Sequence, residues 1–204
     1  MGNYGTFIGE LFVNHDLNNT DYVGGMFRHH SSEGGIKNVA LENRFFDTSL
    51  DLMYGSNQKD VSYNVDLGYQ NQIYNWYGLP ANFDSTLING INPQQTYGTI
   101  SLGGNVTLNE SILNKASLKY NHFSDASGSS ENRFYAKPTV EFDVMDSAVK
   151  TNIIVDYVGG SFKNNYLNTN TTRVKYGFTN FGIIPSFVMQ EDDWTLNIGA
   201  GLFY

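Results

Sequence analysis

His29 and His30 are the only adjacent histidines in the chain, and imidazole is a common ligand of transition metals. Successive residues of a β-strand point to opposite faces, so two neighbouring rings on a strand do not chelate one ion, and the pair reads as a polar strand end. Asp47, Asp51, Asp66, Glu141 and Asp143 carry the carboxylates that acid–base chemistry would need. Each falls on the polar phase of an alternating segment, where a barrel lumen requires polar residues anyway. No grouping of nucleophile, base and oxyanion donor is legible, so no catalytic residue is assigned and the expectation is a non-enzyme. The glycine pairs at 24–25, 34–35, 103–104 and 159–160 lack phosphate-loop spacing and suit strand bending or close strand contact. Glu191-Asp192-Asp193 reads as a solvated hairpin. There is no cysteine, so neither a disulfide nor a thiolate metal site is available, and no cofactor is expected. The segment Asn75-Trp-Tyr-Gly-Leu-Pro-Ala-Asn-Phe-Asp is the most functional in texture. Its rings Trp76, Tyr77 and Phe83 are the candidate ligand contacts, able to stack on a sugar or to fold over a barrel mouth as a small apolar cluster.

The elements that would carry these residues are strands. In Val61–Gln70, Val61, Tyr63, Val65, Leu67 and Tyr69 share one face, and Ser62, Asn64, Asp66, Gly68 and Gln70 share the other. The same period of two sets Phe46, Leu50, Leu52 and Tyr54 against Asp47, Ser49 and Asp51. It sets Ile100, Leu102, Val106 and Leu108 against Thr99, Ser101, Asn105 and Thr107. Phe134 to Val144 and Leu196 to Tyr204 follow suit, and weaker segments lie near 4–14, 22–31, 116–123, 149–160 and 174–189. About ten strands of roughly 9–12 residues result, long for a globular sheet and matched to a tilted membrane-spanning strand. Near 174–189 the apolar phase changes from Val174, Tyr176 and Phe178 to Phe181, Ile183, Pro185 and Phe187, which predicts a β-bulge at Thr179–Asn180.

Composition agrees with this. Of 204 residues, 14 are Tyr, 14 Phe and 21 Gly, while charged residues are 16% against roughly 25% in ordinary soluble domains. A net charge of −8 with 12 Lys+Arg argues against nucleic acid as a partner. Mean hydropathy is negative, as it also is in membrane barrels, whose every second residue faces a polar lumen. Short turns at 15–21, 55–60, 109–115, 145–148 and 190–193 alternate with longer Gly/Ser/Asn-rich loops at 31–43, 76–96, 124–132 and 161–172. Bacterial outer-membrane barrels have that asymmetry, with the short turns periplasmic. Placed so, Tyr54, Tyr63 and Trp194 fall near the inner interface, and Phe46, Tyr69, Tyr120, Phe134, Tyr157 and Tyr204 near the outer one.

The segments Asn3-Tyr-Gly-Thr-Phe, Ser32-Glu-Gly-Gly-Ile-Lys-Asn, Tyr74-Asn-Trp-Tyr-Gly-Leu-Pro and Glu131-Asn-Arg-Phe-Tyr resemble the outer-membrane β-barrels of Bacteroidota TonB-dependent receptor-like proteins. The resemblance covers essentially the whole chain as strand and loop texture. It implies a Gram-negative outer-membrane protein with a larger, roughly 22-stranded barrel. The plug domain and TonB box of that family are not identifiable in 1–204, so only the barrel part carries over. With an odd strand first, both Met1 and Tyr204 fall on the loop side, and no secretory leader precedes the first strand. The expectation is therefore one barrel region, 1–204, of an antiparallel up-and-down transmembrane β-barrel, forming part of a larger one.

The function expected is ligand uptake or binding through extracellular loops and a polar lumen. Its partners would be outer-membrane lipid, a small-molecule or glycan ligand, and TonB through regions beyond this chain. Two alternatives stand beside it: an anchoring barrel without transport, and a soluble, secreted β-rich module that binds glycans.

Overall fold

In a computed structural model of the chain, the structure describes residues 5–79, 92–144, 147–164, 172–191 and 193–204. The strands are β1 (Phe7–Asp16), β2 (Asp21–Ser32), β3 (Phe45–Asn57), β4 (Val61–Asn75), β5 (Gln94–Leu108) and β6 (Leu113–Asp125). They continue as β7 (Ser130–Val144), β8 (Ser147–Asn164), β9 (Thr172–Glu191), β10 (Trp194–Gly199) and β11 (Leu202–Phe203). All belong to one antiparallel sheet in which β1 to β10 pair in chain order. Among the described residues there is no helix and no pairing of β1 with β10, so the sheet is open rather than a closed barrel.

Two polar turns show how the chain reverses. Asn18 Oδ1 accepts hydrogen bonds from the Thr20 and Asp21 backbone N–H groups, at 2.8 and 2.9 Å, closing an Asx-type turn between β1 and β2. Between β6 and β7, Asp125 Oδ1 accepts from the Ser129 N–H at 2.7 Å, and Gly128 supplies a φ of 83° that an L side chain would resist. That second connection spans only 126–129, shorter than the loop expected there, because β6 and β7 extend into it. The long connections at this end are 33–44 and 76–93.

The strand count differs from about ten for a local reason. β10 and β11 lie on one register line along β9: Gly199 pairs with Ser186, and Leu202 with Ile183. Between them Ala200 N–H donates to the Pro185 carbonyl at 3.2 Å, but Pro185 has no N–H to return. The ladder lapses there, and one strand becomes two.

The β-bulge expected at Thr179–Asn180 is absent. Pairing of β8 with β9 runs without a shift from Asn164↔Thr172 to Ser147↔Met189. The change of apolar phase is a real change of face, so Val174, Tyr176 and Phe178 stand on the polar side. Among the described residues, the one register shift lies instead between Leu113 and Lys115, where β6 pairs with β7.

Elsewhere register and alternation agree. Leu52 pairs with Leu67, Leu67 with Leu102, Leu102 with Tyr120, Tyr120 with Phe134 and Phe134 with Tyr157. This line of large apolar side chains crosses β3 to β8 on one face. β1 is less segregated, with Ile8 and Phe12 on the opposite face to Leu11 and Val13. No hydrophobic residue is buried among the described ones. The buried residues are small: the polar Ser31, Ser32, Ser49, Ser56, Asn75 and Ser129, and the glycines Gly34, Gly55, Gly68, Gly159 and Gly182. A soluble fold is stabilised chiefly by removing apolar surface from water, and this sheet leaves an entire apolar face open.

Candidate functional site

The polar face carries an ordered set of rings at the end where the long connections lie. His30 of β2 meets Phe45 of β3 edge-on, with centroids 4.9 Å apart. Phe45 stacks on Tyr74 of β4 at 6.3 Å, and Tyr74 meets Tyr97 of β5 at 6.5 Å. Tyr97 stacks on Phe123 of β6 at 5.9 Å. Five rings on five consecutive strands thus form one row, at separations typical of favourable aromatic pairs.

Register explains the row. His30 sits opposite Asp47, two residues from Phe45 on the same face of β3. Tyr97 sits opposite Gln72, two residues from Tyr74, and Phe123 opposite Thr99, two residues from Tyr97. Each contact is a cross-strand diagonal of the kind long rings can bridge, apart from Phe45 and Tyr74, which face each other more directly.

Hydrogen-bonding groups line the row's lower side. Gln70 and Gln72 donate through Nε2 to the two oxygens of Asp47, at 2.9 and 3.0 Å. Gln72 also reaches the Tyr74 hydroxyl at 3.2 Å. The Asp47 carboxylate is therefore engaged in orienting two amides, each of which keeps a free carbonyl oxygen in its own side chain. Glu10, Arg28, His30, Asp47 and Gln70 border a polar concavity of about 390 Å³ beside the row.

A second ring cluster continues the line beyond β6. Phe123 is paired with Glu131 of β7, Glu131 with Gly160 of β8, and Gly160 with Tyr176 of β9. The Tyr176 hydroxyl donates to Glu131 Oε2 at 2.5 Å, passing over Gly160. Phe162 and Phe178 flank Tyr176 at 6.3 and 6.1 Å. Nearby, Arg133 makes a two-pronged ion pair with Asp156, at 2.9 and 2.6 Å.

The residues singled out from sequence are distributed unevenly about this site. Trp76 and Tyr77 are 61% and 43% exposed, and the Trp76 N–H donates to the Pro93 carbonyl at 2.9 Å. That bond prolongs the β4–β5 ladder by one residue, so pleat parity puts Trp76 on the ring-bearing face, one step past Tyr74. Phe83 lies outside the described residues. His29 and His30 stand on opposite faces: the His29 Nδ1 is 2.7 Å from the Thr48 hydroxyl, and its ring lies near Phe7 and Phe46. Asp47, Asp51 and Asp66 share the polar face of β3 and β4. Glu141 and Asp143 share that of β7, with Glu141 paired to Lys150 at 3.2 Å.

Comparison of the chain with protein-family models, with curated proteins and with solved structures finds no match. Function has to be argued from the geometry alone.

Sequence reasoning passed over Phe45, Tyr97, Phe123 and Phe162, and placed Tyr176 and Phe178 on the wrong face. The signal was present in part. Phe45, Tyr97 and Phe123 are out of phase with the apolar residues of their own strands, and each lies near the same strand end. Whether such outliers meet depends on register between strands, which no single segment displays.

The arrangement is suited to recognition without covalent chemistry. Flat rings offer faces to apolar C–H surfaces, and the flanking amides and carboxylates offer directional bonds to hydroxyl or amide groups.

Proposed function

We propose that this chain forms part of an outer-membrane β-barrel of TonB-dependent receptor-like type, with its apolar face toward lipid and its polar face toward the lumen. Ligand is taken up or bound from the loop side, where the aromatic row meets it. The observation that carries this reading is the inversion of burial: no described hydrophobic residue is buried, while Leu50, Leu52, Val65, Leu67, Ile100, Leu102 and Leu118 stand exposed on one face. In water such a belt would drive association; in hydrocarbon it needs no cover.

Lipid does not tolerate a sheet edge with unpaired backbone groups. The reading therefore requires that β1 and β10 pair with further strands, from the same barrel or from a second copy. The aromatic row with its amides favours a ligand with flat apolar faces and many hydroxyls, such as a glycan.

The test is refolding of the chain from denaturant, with and without phosphatidylcholine vesicles. A species protected from protease and shifted in unheated gel migration is expected only with lipid. A monodisperse folded protein in plain buffer would overturn the membrane reading and favour a secreted binding module.

A further inference from the structure

Charge on the sheet is partitioned between faces, with one grouped exception. Among strand residues whose side chains are described, the charged ones lie on the polar face except Asp21, at the turn end, and Lys163, Arg173 and Lys175. These three cations share the apolar face of β8 and β9 at the loop end. Lys163 is directly opposite Arg173, and Lys175 opposite Ser161. The heads of Lys163 and Arg173 converge over the β6–β7 turn: a Cβ built on Gly128 would lie 3.4 Å from Arg173 Nη2 and 3.7 Å from Lys163 Nζ.

Nothing anionic on the described residues answers them. The ion pairs there are Arg44–Glu42, Arg133–Asp156 and Lys150–Glu141. Like charges directly opposite on an antiparallel pair repel, so the cluster is an arrangement that an added anion stabilises. The chain as a whole carries −8, which makes a local, unpaired group of three cations a specific feature rather than a background of basic residues.

Position narrows the anion. Along β8, Ser161 and Lys163 lie four and six residues beyond Tyr157, which ends the apolar line at this strand; that is roughly 13 to 20 Å of strand, less when the strand tilts. Between them Gly159 lies buried beneath the Tyr157 side chain, and Gly177 opposite it is exposed. A headgroup rising from the apolar belt would cross the Tyr157 ring and the exposed Gly177 and meet the cations. Arg and Lys together suit phosphate, Arg by its fork and Lys as a point charge.

We propose that Lys163, Arg173 and Lys175 form a binding site for the phosphate groups of a lipid in the outer leaflet. The proposal rests on the apolar face being the lipid-facing one. Three cations at a membrane surface together strengthen attachment of such a lipid by about a hundredfold.

The test uses the full chain refolded into phosphatidylcholine vesicles with and without diphosphorylated lipid A. Insertion is read by protease protection, and lipid retention by native mass spectrometry after extraction. Wild type is expected to retain lipid A. The triple variant Lys163→Gln, Arg173→Gln, Lys175→Gln should insert and retain it about a hundredfold less well. A control triple on the polar face, Lys115→Gln, Lys119→Gln, Lys137→Gln, removes the same charge and should retain it as wild type does. The single variant Lys175→Gln, milder for folding, should show an intermediate loss. Equal loss in both triples, or insertion without any lipid A retention, overturns the site. Displacement of lipid A by inorganic phosphate at matched concentration overturns the lipid as its occupant. If wild type inserts into neither vesicle, the membrane reading beneath the proposal falls, and the proposal with it.

Discussion

Gly160 is the residue on which the second ring cluster turns. A Cβ there would stand 2.5 Å from the Ser130 carbonyl oxygen and 2.7 Å from the Tyr176 hydroxyl, and the first of these is backbone that cannot swing aside. Gly160→Ala should therefore destabilise the sheet by about 1–3 kcal/mol, as overpacking does, and break the Tyr176–Glu131 bond. Gly98 is the control, since a Cβ there meets nothing nearer than Ser124 Oγ at 3.5 Å. Gly98→Ala should be neutral or slightly stabilising, because a strand glycine is entropically costly. Urea titration of the two variants in one lipid or detergent checks the difference. Tyr176→Phe isolates the hydrogen bond: it keeps the ring between Phe162 and Phe178 and removes only the donor to Glu131. A loss of about 0.5–1.5 kcal/mol is expected in the same titration, at the modest end because the pair is only partly buried.

At the scale of elements, two features depend on which strand faces which. Pro185 interrupts the last ladder because it receives from Ala200 and cannot donate back. Pro185→Val supplies the missing N–H, and the prediction is that β10 and β11 join into one strand. Hydrogen exchange at Leu202 and its neighbours should slow, with a gain of roughly 0.5–1.5 kcal/mol from the added bond. No slowing would mean that the Gly199–Gly201 segment, rather than the proline, breaks the strand. The aromatic row is the second feature. Phe45 and Tyr97 each contact a ring on both neighbouring strands, so removing either divides the row. With a linear glycan as probe, Phe45→Ala and Tyr97→Ala should each weaken binding by about 0.5–1.5 kcal/mol, measured by calorimetry. Phe142→Ala, on the opposite face, should leave binding unchanged; equal effects at all three positions would remove the row from the site.

For the whole molecule the question is which medium meets the apolar face. Leu67 of β4 and Leu102 of β5 are adjacent on the central register line, whereas Asn64 of β4 and Asp51 of the neighbouring β3 stand on the other face. Leu67→Lys and Leu102→Lys should each oppose insertion into vesicles by about 2–4 kcal/mol if the line lies near the bilayer midplane. Asp51→Lys and Asn64→Lys should be tolerated. Vesicle-refolding yields decide the matter, and indistinguishable yields for the two sets would rule out the assignment of faces. The open edges at β1 and β10 add a consequence at this scale: stable insertion demands that both be paired, so crosslinking across them in lipid should capture a neighbouring strand.

Apart from the face of β9 and the break between β10 and β11, the sequence alone determined the strands, their two faces and the ends at which the chain reverses, since the pleat alternates side chains locally and turns are written in Asn, Asp, Ser and Gly. Val61–Gln70 could be divided into its two faces without reference to any other segment, and the pairing of β4 with β3 and β5 respects that division. Tertiary structure alone decided what meets across strands. The row from His30 to Phe123 exists only at one register, and a slip of one residue would turn any member to the opposite face. The β9 segment makes the same point: its sequence predicted a bulge, and continuous pairing with β8 shows a change of face instead. Alternation is a property of one strand, whereas register and the open edges depend on hydrogen bonds between segments far apart in the chain. That is why the carboxylates and the apolar belt were legible in advance and the ring row, the Glu131–Tyr176 bond and the cation cluster were not.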